Sequence, residues 1–89
     1  MMIQTAHFAI GTTSVQIATP DDNPQIVIIH DHDHTSSDDV FIGGPDVTIA
    51  NGLHLPKTET ITVHLDAGDS LYAVADGGSI EVHVLQTKR

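Results

Sequence analysis

Near the C-terminal end of the chain, Ile61, Val63 and Leu65 alternate with Thr60, Thr62 and His64. Side chains on an extended backbone point to opposite faces in turn, so this pattern predicts a strand with one dry and one wet face. Ile80, Val82 and Val84 alternate with Glu81 and His83 in the same way. Between them, Leu71, Ala73 and Ala75 alternate with Tyr72 and Val74, which predicts a strand that is apolar on both faces. Asp66-Ala67-Gly68-Asp69 and Asp76-Gly77-Gly78 separate these runs and are rich in residues that tolerate positive φ. The expectation is a three-stranded meander with two tight turns.

The N-terminal half repeats the style. Ile3 to Ile10 and Thr13 to Ala18 predict two strands separated by Gly11, and Pro20-Asp21-Asp22-Asn23-Pro24 predicts a loop. Gln25 to Ile29 carries the unbroken run Ile26-Val27-Ile28-Ile29, the mark of a strand buried on both faces. Asp31 to Asp39 is polar and turn-like, Val40-Phe41-Ile42 resumes an apolar strand, and Gly43-Gly44-Pro45-Asp46 ends it. Val47-Thr48-Ile49 predicts one more short strand before Asn51-Gly52, with Leu53 to Thr58 as a connection carrying Pro56.

No window carries a helical period, β-branched residues abound, and Gly, Pro, Asn or Asp interrupts the chain every ten residues or so. The fold class is therefore all-β: a small antiparallel β-sandwich or Greek-key barrel of about seven or eight short strands. Gly43, Gly44, Asp46, Gly52, Gly68, Gly77 and Gly78 are expected at its corners. Eighty-nine residues suit a single β domain, 1–89, with Met1–His7 and Gln86–Arg89 as candidate contact arms. A chain of this size buries only about 60–65% of its unfolded surface, and it has no cysteine to staple a thin core. Oligomerisation is thus an expected source of further burial.

Charge narrows the choice of partners. Twelve acidic residues against three basic ones give a formal net charge of −9, and protonating all seven histidines leaves the chain negative. Such a surface repels phosphate backbones, so nucleic-acid binding is not expected. The apolar run of four residues is far shorter than the roughly 20 a membrane helix needs. Met1 to Ile10 lacks the basic start and long apolar middle of a secretory signal. The expectation is a soluble protein made in a cytoplasm.

Candidate chemistry concentrates in His30-Asp31-His32-Asp33-His34. On an extended strand the three histidines share one face and the two aspartates the other. Neutral imidazoles two residues apart suit zinc, copper or nickel. His30 and His34 would lie roughly 13 Å apart at ~3.3 Å per residue, too far to share one compact tetrahedral ion. A metal site through His30, His32 and His34 therefore needs His54, His64, His83 or a neighbouring subunit to complete it. The same stretch also suits a solvated strand end or loop tip whose polar residues keep an edge wet. A third reading is a pH sensor, in which acidification partly neutralises an anionic surface. Enzyme signatures are missing: there is no cysteine nucleophile, Gly-x-Ser-x-Gly elbow, phosphate loop or dinucleotide fingerprint. Gly43-Gly44 leads into Pro45-Asp46 and no helix, and Asp38 and Asp39 would point apart on a strand. No catalysis and no cofactor are expected.

Val40-Phe41-Ile42-Gly43-Gly44-Pro45-Asp46-Val47-Thr48, followed by Asn51-Gly52-Leu53-His54-Leu55, resembles a pattern in small tailed-bacteriophage virion proteins. The surroundings agree: Gly11-Thr12-Thr13 and the Gln25–Ile29 strand lie upstream. Leu65 to Ala75 and Ile80 to Leu85 lie downstream, so the likeness spans Phe8 to Thr87. It departs at Asp31–Asp39, where such proteins carry a shorter turn, and at Phe41, where tyrosine is commoner. The resemblance implies a structural virion protein that decorates or cements the outside of a capsid, made in the host cytoplasm. Its implied partner is the major capsid protein of a phage shell, met by a homo-oligomer, with a trimer favoured. A tail- or fibre-associated host-surface binding module is the alternative, and a metal- or pH-responsive binding protein the lesser one.

Overall fold

Eight strands are present in the computed structural model, which describes residues 2–32 and 38–88. They are β1 (Met2–Ile10), β2 (Val15–Ala18), β3 (Gln25–Asp31) and β4 (Val40–Gly43), then β5 (Leu53–Leu55), β6 (Thr60–Leu65), β7 (Leu71–Ala75) and β8 (Ile80–Lys88). All pairings are antiparallel. They build a first sheet in the order β1-β8-β3-β6 and a second in the order β2-β7-β4-β5. One core cluster draws side chains from all eight strands, including Ile10, Ile17, Val27, Ile29, Val40, Leu55, Leu65, Ala73, Ile80 and Val82. The two sheets therefore face each other, and the fold is an all-β sandwich. The period-2 pattern predicts the inward positions well. In β8, Ile80, Val82 and Val84 are buried while Glu81 and His83 are not.

The connections differ from the expected meander. β6 lies at an edge of the first sheet, β7 within the second and β8 back in the first. The turns at Asp66–Asp69 and Asp76–Gly78 thus cross between layers and do not join paired neighbours. β4 and β5 are the consecutive strands that pair with each other. Alternation reports which face of a strand is dry, and it carries no information about which strand lies alongside.

Three further expectations change. β3 is not buried on both faces: Val27 and Ile29 are fully buried, whereas Ile26 is exposed and Ile28 half-buried. Val47-Thr48-Ile49 is no strand; residues 48–52 turn, with Gly52 N–H donating to Thr48 O at 2.9 Å and Asn51 Oδ1 accepting from Thr48 N–H at 2.8 Å. Leu53–Leu55, expected as a connection, is β5. The described parts of the suggested contact arms, residues 2–7 and 86–88, lie in the β1–β8 ladder, which pairs Met2 with Lys88 through to Ile10 with Ile80.

The corner residues act in two ways. Gly68 (φ 86°) and Gly78 (φ 63°) adopt the left-handed conformation that a side chain opposes. Gly43 and Gly52 matter through space instead. A Cβ on Gly52 would come within 2.7 Å of the Phe41 Cβ, and one on Gly43 within 2.9 Å of the Val47 methyl.

Candidate functional site

The outer faces of the two sheets are treated differently. On the second sheet, Val74 of β7 points away from the main core and is nevertheless buried. It borders a shallow depression shared with Val47, Thr48 and Ile49 of the β4–β5 connection, so that loop lies over this sheet. On the first sheet the outward side chains stay open among the described residues.

Register defines that open face row by row. At one end, Ile3, Thr87, Ile26 and His64 lie side by side on β1, β8, β3 and β6. The next row holds Thr5, Leu85, Ile28 and Thr62, and the third His7, His83, His30 and Thr60. Beyond them stand Ala9, Glu81 and, just past the end of β3, His32. One half of the face thus gathers Ile3, Ile26, Ile28 and Leu85 among threonines and His64, with Ile3 63% and Ile26 38% exposed, and the other half is imidazole-rich. Two open depressions of about 300 and 280 Å³ indent it, one beside Ile26 and His64, the other between Ile28, Leu85 and the histidines.

The imidazole half is ordered by strand pairing. His7 and His83 are directly opposed, and their rings stack at 4.0 Å between centroids with planes 4° apart. The His32 ring stacks against His83 at 4.4 Å, and the His30 ring meets His83 edge-on at 6.5 Å. Glu81, two residues before His83 and on the same face, places Oε1 3.2 Å from His83 Nε2 and 3.6 Å from His7 Nδ1. His30 Nδ1 lies 2.9 Å from the Thr60 hydroxyl on the other side.

Of the metal candidates from the sequence, His30 and His32 do share the outer face, while Asp31 points inward and is fully buried. Asp33 and His34 lie outside the described residues. β3 is an interior strand flanked by β8 and β6, and His32 lies exposed just past its end, while the rest of the solvated-tip reading falls outside the described residues. His83 joins the group as anticipated. His54 instead pairs with Asp39 at 3.2 Å on the second sheet, and His64 sits in the far row. His7 and Glu81 were missed. Nothing in the sequence marks them, since only the β1–β8 register brings residue 7 against residue 83.

No family model and no curated protein matches the chain. Among solved structures it is similar to a subunit of Bacillus endospore appendages, described as a novel family of disulfide-linked pili. The TM-score is 0.62 at 6% identity, over 96% of this chain and 83% of that one. A periplasmic inhibitor of g-type lysozyme from Aeromonas hydrophila aligns over 97% of this chain and 83% of its own, with a TM-score of 0.45 and 9% identity. The pilus likeness supports the sandwich and speaks to the fold alone. With no cysteine, this chain has no means of disulfide linkage.

Proposed function

We propose that the chain is a structural module that docks onto a repeating protein assembly through the open face of its first sheet, and that this assembly is the exterior of a tailed-phage capsid. The observation that carries the reading is the aliphatic half of that face. Ile3, Ile26, Ile28 and Leu85 project from three neighbouring paired strands and, among the described residues, no loop covers them. A contiguous apolar patch on ordered strands, rimmed by polar groups, fits a protein partner. The net charge of −9 makes nucleic acid a poor alternative.

Two further points support the assembly reading. The sequence resemblance to small virion proteins runs from Phe8 to Thr87, nearly the whole sandwich. The same architecture serves as a pilus subunit in the Bacillus appendages. The partner in this reading is the major capsid protein, and three copies acting together would raise a modest individual affinity through effective concentration. The protein is made in the host cytoplasm and works on the virion surface.

The test is co-sedimentation of the purified protein with phage shells that lack it. Binding to expanded, mature shells and little binding to immature ones is the expected result. Failure to bind shells in any maturation state would overturn the proposal. A few copies per particle confined to the tail would replace it with the tail-associated reading.

A further inference from the structure

The sequence pattern places candidate ligands in series along one strand, whereas strand pairing assembles a different set across two. We propose that His7, His83 and Glu81 form a site for a late first-row divalent transition metal, with zinc as the reference ion and one coordination position open. The proposal is independent of the docking reading.

Distances carry the argument. One ligand-capable atom from each of these three residues lies within 4.8 Å of the other two, with Glu81 Oε1 3.2 Å from His83 Nε2 and 3.6 Å from His7 Nδ1. In a tetrahedral site with bonds of about 2.0–2.2 Å, neighbouring ligand atoms stand about 3.3 Å apart. Two edges of the triangle already match that spacing to within a few tenths of an ångström. Closing the third means opening the stack: an imidazole binds a metal in its own ring plane, and planes only 4° apart do not meet at one ion, so at least one ring must tilt by side-chain rotation.

Donor chemistry agrees with the geometry. Two imidazoles and one carboxylate are the ligand set of zinc sites that keep a fourth position for water or an incoming donor. The backbone is fixed in advance, because His7 and His83 are partners within a ladder of nine residue pairs. The His32 ring stacks on His83 at 4.4 Å and holds it, so the tilt falls to His7, the more exposed of the two rings. Electrostatics favours a cation here as well. Glu81 faces both imidazoles, and a single ion between them neutralises its charge without placing two protonated rings 4.0 Å apart. Of the other described histidines, His32 stacks on His83, His30 meets Thr60, His54 pairs with Asp39, and His64 sits in the far row.

Titration calorimetry of the full chain with zinc chloride tests the site, with thermal unfolding as a check that each variant is folded. His7→Ala, His83→Ala and Glu81→Gln should each weaken zinc binding by roughly tenfold or more, since each removes a ligand. His54→Ala and His64→Ala should leave it unchanged. Cobalt should give the visible absorption of a four-coordinate ion, lost in His83→Ala. Zinc binding that survives both His7→Ala and His83→Ala overturns the proposal. So does binding lost only when His30, His32 and His34 are replaced, or the absence of any zinc binding to the folded protein.

Discussion

Inside the sandwich, Nε2 of Gln86 on β8 donates to Oε1 of Gln25 on β3 at 3.0 Å, and Nε2 of Gln25 donates in turn to the Thr19 carbonyl at 2.7 Å. Both glutamines point inward at positions that alternation reserves for apolar residues, and both are buried. The chain of donors ties the end of β2 to the two central strands of the first sheet. Leaving a buried amide without its partner costs about 1–3 kcal/mol. Gln86→Leu and Gln25→Leu should therefore each lower stability by about that amount in urea unfolding. The double variant should lose clearly less than the two single losses combined, because it leaves no unpaired glutamine. Additive losses would show that the pair is not coupled.

Glycine-to-alanine substitutions should rank by cause. At Gly68 the φ is 86° and an added Cβ meets nothing within 4 Å, so Gly68→Ala costs only backbone strain, about 1 kcal/mol. At Gly78 the φ is 63° and the added Cβ would stand 2.5 Å from an Asp38 carboxylate oxygen, so a local shift of Asp38 adds to the strain. At Gly52 the obstacles are the Phe41 Cβ, a Val47 methyl and the Thr48 carbonyl, all within 3.0 Å, and the carbonyl belongs to the backbone of the turn itself. Thermal unfolding should place Gly68→Ala nearest wild type and Gly52→Ala furthest, with a loss of about 2 kcal/mol or more. Equal losses at the three sites would show that close approach does not matter here.

Thr58 is a β-branched residue held at φ 60° in the turn between β5 and β6, where Glu59 N–H donates to Pro56 O at 3.2 Å. Its hydroxyl donates to the Lys57 carbonyl at 2.6 Å. A β-branched side chain is disfavoured in this region and asparagine is tolerated. Thr58→Asn should raise stability by about 0.5–1 kcal/mol, seen as a higher urea midpoint with an unchanged slope. A lower midpoint would mean that the hydroxyl contact outweighs the strain.

What the sequence reveals follows from the range of each physical signal. The strand positions of β6, β7 and β8 are legible because burial of one face writes itself into every second residue. The left-handed turns at Gly68 and Gly78 are legible because so few residues adopt that conformation. Partnering is a long-range property: β1 and β8 lie at opposite ends of the chain and leave no local trace of their register, so His7 and His83 are invisible as a pair. Ile26-Val27-Ile28-Ile29 misleads for a related reason. An apolar run marks a strand that water does not favour on either side, and it does not say whether the second side is covered by this chain or by another molecule.

Ile26 and Ile29 on β3 separate folding from docking most sharply. Ile29 is fully buried and belongs to the common core, while Ile26 faces outward between Thr87 and His64. Removing a buried isoleucine side chain costs about 2–5 kcal/mol, against roughly 4–13 kcal/mol for the whole of a domain this size. Ile29→Ala should therefore lower the unfolding midpoint severely, whatever the partner. Ile26→Ser, made together with Ile3→Ser, removes side chains that are partly exposed, so the loss should be modest, about 1–2 kcal/mol, and well short of that of Ile29→Ala. Shell binding should nevertheless fall sharply, since these two side chains head the aliphatic half of the open face. Full retention of shell binding by a folded Ile3→Ser/Ile26→Ser variant would move the contact away from this face.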